Sequence, residues 1–224
     1  GLAIENRMKL LQAIDSNFPE ALKPKIYLTD EEIAFAKAQL DQHQLLDKKP
    51  LFMIGVLGSG PEKTYPLKQL APILDTLVAN TSGQLLFNYI PNQLEQVEAL
   101  YKYCNAETQK HIHLDVYGKS LRAFMALTYH CDALIGNEGG AVNMAKALGI
   151  PTFAIFSPWI KKQAWALYEN DQNVAVHLAD LHPEYYGSPN YKKLKKNVNF
   201  YYQEFKSTFI IDRLQAFLRL IDKT

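Results

Sequence analysis

Short apolar runs alternate with segments of helical period along most of this chain. Leu51 to Leu57 is almost uninterrupted in apolar residues, as a strand covered on both faces requires. Leu85 to Ile90, His111 to Val116, Ala133 to Ile135, Thr152 to Phe156 and Val174 to Leu178 read as further strands. Between them, Leu67 to Val78, Leu94 to Tyr103, Ser120 to Tyr129, Ala141 to Leu148 and Lys161 to Tyr168 carry helical spacing. In the third of these, Leu121, Phe124, Met125 and Thr128 share a face and are expected in the core. Gly149 and Pro151 stop the fourth. Lys25 to Leu28 reads as a short strand before Thr29-Asp30-Glu31-Glu32, a helix start with its cap and early acids, which opens Ile33 to Leu46. Asp47 to Pro50 is the loop that follows, Asn6 to Ile14 is a connecting helix, and His182 to Asn190 is irregular. Ser207 caps a last helix with the stripe Ile210, Leu214, Phe217, Leu218 and Ile221.

Five or six strands alternating with helices predict an α/β fold, one doubly wound parallel sheet with helices on both faces. The loops at 58–66, 90–93, 117–120 and 136–140 then share one edge, where such sheets bind ligands. In the last of them Gly139 and Gly140 precede a helix, whose free N–H groups and dipole favour an anion. Glu138 would repel a phosphate but would accept from a sugar hydroxyl beside one; the alternative is a tight turn with a solvated glutamate. Gly58-Ser59-Gly60-Pro61-Glu62-Lys63 is not a P-loop, because the lysine does not follow Gly60 directly, and a dinucleotide fingerprint lacks its third glycine. It offers backbone N–H groups, the Ser59 hydroxyl and the Lys63 ammonium, a set that suits a diphosphate; a solvated loop lysine is the alternative.

Composition narrows the classes. The chain has 224 residues, 48% hydrophobic and 21% charged, with a net charge of +1, which gives no sign of nucleic-acid binding. No apolar run reaches membrane-spanning length and no secretory signal opens the chain. Cys104 and Cys131 make neither a metal site nor a disulfide framework, so a reduced, cytoplasmic setting is expected. His111 and His113 lack further ligands for zinc. Neither a G-x-S-x-G elbow nor a D-x-D pair is present. Lys192, Lys193, Lys195 and Lys196 form a basic cluster before Phe200, Tyr201 and Tyr202. A solvated face suits it better than peripheral contact with anionic lipid at the inner membrane face, the other reading.

In their order, three motifs resemble the donor-binding, C-terminal half of the lipopolysaccharide heptosyltransferases, glycosyltransferase family 9, which have the GT-B fold. Lys63-Thr64-Tyr65-Pro66 is similar to the family's K-x-W-P, with Tyr65 in the tryptophan's place. Gly118-Lys119-Ser120-Leu121 is similar to G-x-(S/T)-L. The segment after Gly136 is similar to D-(S/T)-G-x-x-H-L-A-A-A-L-G-x-P, with Asn137 taken for the aspartate, Glu138 for the serine or threonine, and Asn143 for the histidine.

The resemblance implies a nucleotide-sugar substrate with ADP as the nucleotide, no cofactor and no metal, and a glycolipid acceptor. Ser59, Gly60 and Lys63 would face the diphosphate, Asn92 and Lys119 the nucleoside, and Glu138, Gly139, Gly140 and Asn143 the sugar–phosphate end. Lys63 would stabilise the leaving group in an inverting transfer. The base would come from an acceptor-binding N-terminal domain, for which residues 1–24, read as connecting helix and linker before a domain at 25–224, are too short. The stripe Ile210 to Ile221 and the helix Met8 to Ile14 are expected to dock that half. Half of a nucleotide-sugar epimerase, or a non-catalytic sugar or nucleotide sensor, would also fit the fold. Turnover without an acceptor marks the first, loss of the catalytic carboxylate the second.

Overall fold

The computed structural model describes residues 3–19, 22–48, 50–187 and 190–221. Lys49 in the expected loop, Pro189 in the irregular stretch and both chain ends lie outside them. The helices are α1 (Ala3–Gln12), α2 (Asp30–Gln42), α3 (Leu67–Thr81), α4 (Leu94–Tyr103), α5 (Ala106–Lys110), α6 (Leu121–Tyr129), α7 (Gly140–Leu148), α8 (Lys162–Trp165), α9 (Tyr191–Lys196), α10 (Val198–Glu204) and α11 (Ser207–Ile221). The strands are β1 (Leu51–Gly55), β2 (Gln84–Asn88), β3 (Ile112–His113), β4 (Ala133–Asn137), β5 (Thr152–Ile155) and β6 (Asn173–Val176). They form one parallel sheet in the order β3-β2-β1-β4-β5-β6. The chain thus builds outward from β1 in one direction, then returns to place β4 on its other side. That reversal opens a crevice between the loops leaving β1 and β4.

Alternation along β1 explains why the sheet needs helices on both faces. Phe52 and Ile54 pack with α3, α4 and α11, while Leu51 and Met53 pack with α2, α6 and α7. The first face is rich in aromatic residues; the second is mostly aliphatic. Ile210, Leu214 and Phe217 of α11 are buried on the first face, so that stripe is spent on this sheet and is not a docking surface. In the amino-terminal helix Met8 is buried, whereas Leu10 and Ile14 are exposed. Leu121 is 62% exposed and leaves the expected core face to Phe124, Met125 and Thr128.

Three expected elements change. Lys25 to Leu28 joins no strand; the Ile26 N–H donates instead to the Ala147 carbonyl at the end of α7, 3.0 Å away. β3 shrinks to two residues, and His111 before it and His113 within it turn to Gln84: His111 Nδ1 lies 3.0 Å from Gln84 Nε2, and His113 Nε2 lies 2.8 Å from Gln84 Oε1. The helix expected over 161–168 keeps four residues, because Ala166 leaves helical space at a ψ of 75°, and Tyr168 follows at a φ of 56°. Thr29 does cap α2, its hydroxyl accepting from Glu32 N–H while the Glu32 carboxylate accepts from Thr29 N–H. Gly149 ends α7 at a φ of 82°.

Candidate functional site

At the crevice β1 and β4 run unusually close. A Cβ on Gly136 would lie 2.4 Å from the Gly55 carbonyl oxygen, and Gly136 has a φ of 138°, so this position requires glycine. Next to it, Asn137 is buried and fully engaged. Its amide group donates to the carbonyls of Gly55 (3.0 Å) and Val56 (2.8 Å), and its oxygen accepts from Tyr65 N–H at 2.6 Å. Asn137 therefore braces the loop after β1 and has no group left for a ligand. Counted back from Pro151, the motif's aspartate falls on Glu138 and its histidine on Asn143. The carboxylate position is thus Glu138, one residue later than the pairing with Asn137 assumed.

The loop after β1 carries the second half of the site. Gly58 packs so closely that a Cβ there would sit 2.2 Å from the Lys63 carbonyl oxygen. A helical turn over Pro61–Lys63 is fixed through one carbonyl, that of Glu62, which accepts from Ser157 Oγ (2.7 Å), Trp159 Nε1 (3.0 Å) and the Tyr202 hydroxyl (3.3 Å). Tyr65 is wholly buried, edge-on to Tyr202 and Phe205, and its hydroxyl donates to the Phe205 carbonyl at 2.6 Å. The tyrosine in the tryptophan's place thus locks the loop to the end of α10.

From this braced turn the Lys63 ammonium reaches Glu138, with Nζ 3.6 Å from Oε1, and lies 5.6 Å from the centre of the Trp159 ring. Among the described residues Glu138 Oε1 is buried without a hydrogen-bond partner. Burial pushes the Glu138 carboxyl above its ordinary range, and the nearby Lys63 ammonium partly offsets that. The oxygen without a hydrogen bond is thus the one that faces the ammonium, 3.6 Å away and beyond ordinary hydrogen-bond reach. Beyond it α7 starts in the open. A Cβ on Gly139, at a φ of 154°, would meet nothing within 4 Å, and one on Gly140 only the Met144 methyl at 3.9 Å.

The other expected residues are spread around this pair. Ser59 and Gly60 line a cleft of about 380 Å³ on the far side of the loop, with Thr64, Gln93 and Gln96 as polar neighbours and Asn199 and Tyr202 of α10 opposite. Asn92 is exposed in the turn after β2, and its neighbour Gln93 lines that cleft. Lys119 is exposed just before α6, whose first turn is capped by Ser120. Asn143 lies one turn into α7 and lines a small cavity with Lys146, Leu167 and Tyr168. Sequence reasoning missed Trp159 and Ser157, which hold the loop, and Asn199 and Tyr202, which wall the cleft. A polar and aromatic pair straight after an apolar strand was the available signal for the first two. Among the described residues, no group of three or more His, Cys, Asp or Glu converges as a metal site, and no helix is long and apolar enough to cross a membrane.

Comparison with known proteins agrees with this architecture. No protein of curated function matches the chain by sequence. The fold of a glycosyl transferase family 9 protein from Veillonella parvula superposes with a TM-score of 0.71 at 18% identity, covering 96% of this chain and 59% of that one. The E. coli ADP-heptose lps heptosyltransferase II gives 0.56 at 15% identity, covering 83% and 56%. The E. coli heptosyltransferase WaaC with ADP gives 0.52 at 14% identity, covering 77% and 49%. This chain therefore spans little more than half the length of the first two. The sequence pattern of glycosyltransferase family 9 (heptosyltransferase) matches residues 1–193, and the chain belongs to that family.

Proposed function

We propose that this chain is the donor-binding, C-terminal half of a metal-independent, inverting glycosyltransferase. Its donor is a nucleotide sugar carried on ADP, and its acceptor a lipopolysaccharide or related glycan. The observation that carries this reading is the Lys63–Glu138 pair at the sheet's switch point, beside the open start of α7. Lys63 and the α7 amides suit a diphosphate, and the unmet Glu138 oxygen suits a sugar hydroxyl. The cleft bordered by Ser59, Gly60 and Gln93 offers neutral polar groups for the nucleoside side. ADP is favoured because the E. coli relatives are described with ADP or ADP-heptose.

In this reading the developing negative charge on the leaving diphosphate meets a preorganised ammonium and helix dipole. The base that deprotonates the acceptor belongs to an acceptor-binding half, so residues 1–224 alone bind donor without transferring it. Calorimetry with ADP, UDP, GDP and an ADP-sugar tests the proposal. ADP should bind best, and Lys63→Ala should weaken ADP and ADP-sugar alike. Glu138→Ala should weaken the ADP-sugar and leave ADP nearly unchanged. No heat with any of the three diphosphates at millimolar concentration would sink it; equal losses for both ligands in Glu138→Ala would remove the sugar-reading role.

A further inference from the structure

Among the described residues of the basic cluster on α9, Lys195 is the lysine that reaches both a carboxylate and an aromatic ring, with its side chain still half exposed. Lys195 Nζ lies 3.0 Å from Glu62 Oε1 and 4.6 Å from the centre of the Trp159 ring. That is the ring Lys63 approaches at 5.6 Å. Two ammoniums from distant parts of the chain therefore share one indole, and each is paired with a carboxylate, Glu138 for Lys63 and Glu62 for Lys195. Lys195 lies four residues before Asn199, across the break between α9 and α10, and Asn199 and Tyr202 both wall the cleft. Its position lies just past residue 193, where the family pattern stops, so it is not part of the motifs that identified the family.

We propose that Lys195 is a second phosphate-binding cation of the donor site, meeting the diphosphate together with Lys63 across the shared Trp159 ring. This rests on the donor-binding reading above. The pairing with Glu62 is no obstacle, because both side chains are partly exposed and such ion pairs contribute little stability. A diphosphate brings more charge and more acceptor oxygens than one carboxylate, and charge-assisted bonds to it are the stronger ones. Cation–π attraction to the shared indole keeps both ammoniums near one place while they exchange carboxylate for phosphate. A diphosphate engages both ammoniums; a monophosphate engages one.

The test compares ADP and AMP binding by calorimetry in the unaltered chain and three variants. Lys195→Ala should weaken ADP about tenfold and AMP by less than about twofold. Lys192→Ala, on the outer side of the same helix, should change neither. Glu62→Gln separates direct contact from loop support, since it removes the ion pair but keeps the Glu62 carbonyl and Lys195. It should leave ADP affinity unchanged or raised. ADP affinity untouched by Lys195→Ala, equal losses for ADP and AMP, or a Glu62→Gln loss matching that of Lys195→Ala would each overturn the proposal. Were the unaltered chain to bind no diphosphate at all, both readings would fall together; binding that ignores Lys195 removes only this one.

Discussion

The loop after β1 lies at the sheet's ligand-binding side and the segment before α2 runs against α7, and the two are held in opposite ways. Residues 56–66 are fixed by buried bonds: Asn137 to two β1 carbonyls and to Tyr65, three donors on the Glu62 carbonyl, and the Tyr65 hydroxyl on Phe205. Residues 22–29 are fastened at the surface. Ile26 N–H reaches Ala147, the Tyr168 hydroxyl reaches the Leu22 carbonyl at 2.5 Å, and Arg122 reaches the Tyr27 carbonyl at 3.0 Å. Bonds that water can replace add little, so the second segment opens locally at lower cost than the first. The lesson concerns stiffness: the loop bearing Lys63 is built to stay still, and local opening falls on the segment before α2.

Breaking the stiff region should have the largest effect. Asn137→Ala leaves three buried backbone groups without their partner and should cost about 3–5 kcal/mol in urea unfolding. A loss below about 1 kcal/mol would mean the loop is not braced through this side chain.

A middle-sized effect comes from Lys146, where α7 meets the second segment. This buried lysine donates to the Leu167 carbonyl at 2.6 Å and lines a small cavity with Lys23, Pro24 and Tyr168. Burial lowers its pKa to about 8; nearby Glu169 works against that and Lys23 with it. The unfolded chain holds this proton up to the ordinary lysine range near 10.5, so between about pH 8 and 10 the unfolded state binds more protons. Stability should therefore gain about 1–2 kcal/mol from this group over that window. Above pH 10 the buried Tyr65, Tyr186 and Tyr202, whose pKa values burial raises, pull stability down. Lys146→Met should flatten the rise in denaturation curves taken from pH 7 to 9.5, and an unchanged slope would show that Lys146 is not its source.

The smallest effect should come from the segment itself. Tyr168→Phe removes an exposed bond to Leu22 and should shift global stability by less than about 0.5 kcal/mol. It should nevertheless speed proteolytic cutting within 22–29. Cutting no faster than in the unaltered chain would mean that this bond does not hold the segment.

The doubly wound sheet was legible because strands covered on both faces read as unbroken apolar runs, as at Leu51 to Leu57 and Thr152 to Phe156. Helix ends were legible where local chemistry sets them, at Thr29 and Gly149. What failed depended on contacts far along the chain. His111 and His113 satisfy Gln84 from a neighbouring strand, which local pattern cannot show. Lys63 and Glu138 could be named from their loops, but their meeting at 3.6 Å follows from strand order alone. Lys195 looked like its solvated neighbours because charge pattern does not reveal which lysine of a short helix meets a carboxylate from another part of the chain.

The Asn137 bracket also has a consequence in time. Its two bonds to β1 join positions 81 and 82 residues apart, and no local contact can substitute for them. Contacts of such separation form late, after the entropy of closing a long stretch of chain has been overcome. On a ribosome adding about 5–20 residues per second, roughly 4–16 s pass between the synthesis of Val56 and that of Asn137. During that interval the loop bearing Lys63 is made but unheld. The braced loop is therefore a late product of folding, completed only when β4 slots in beside a strand that has waited for it.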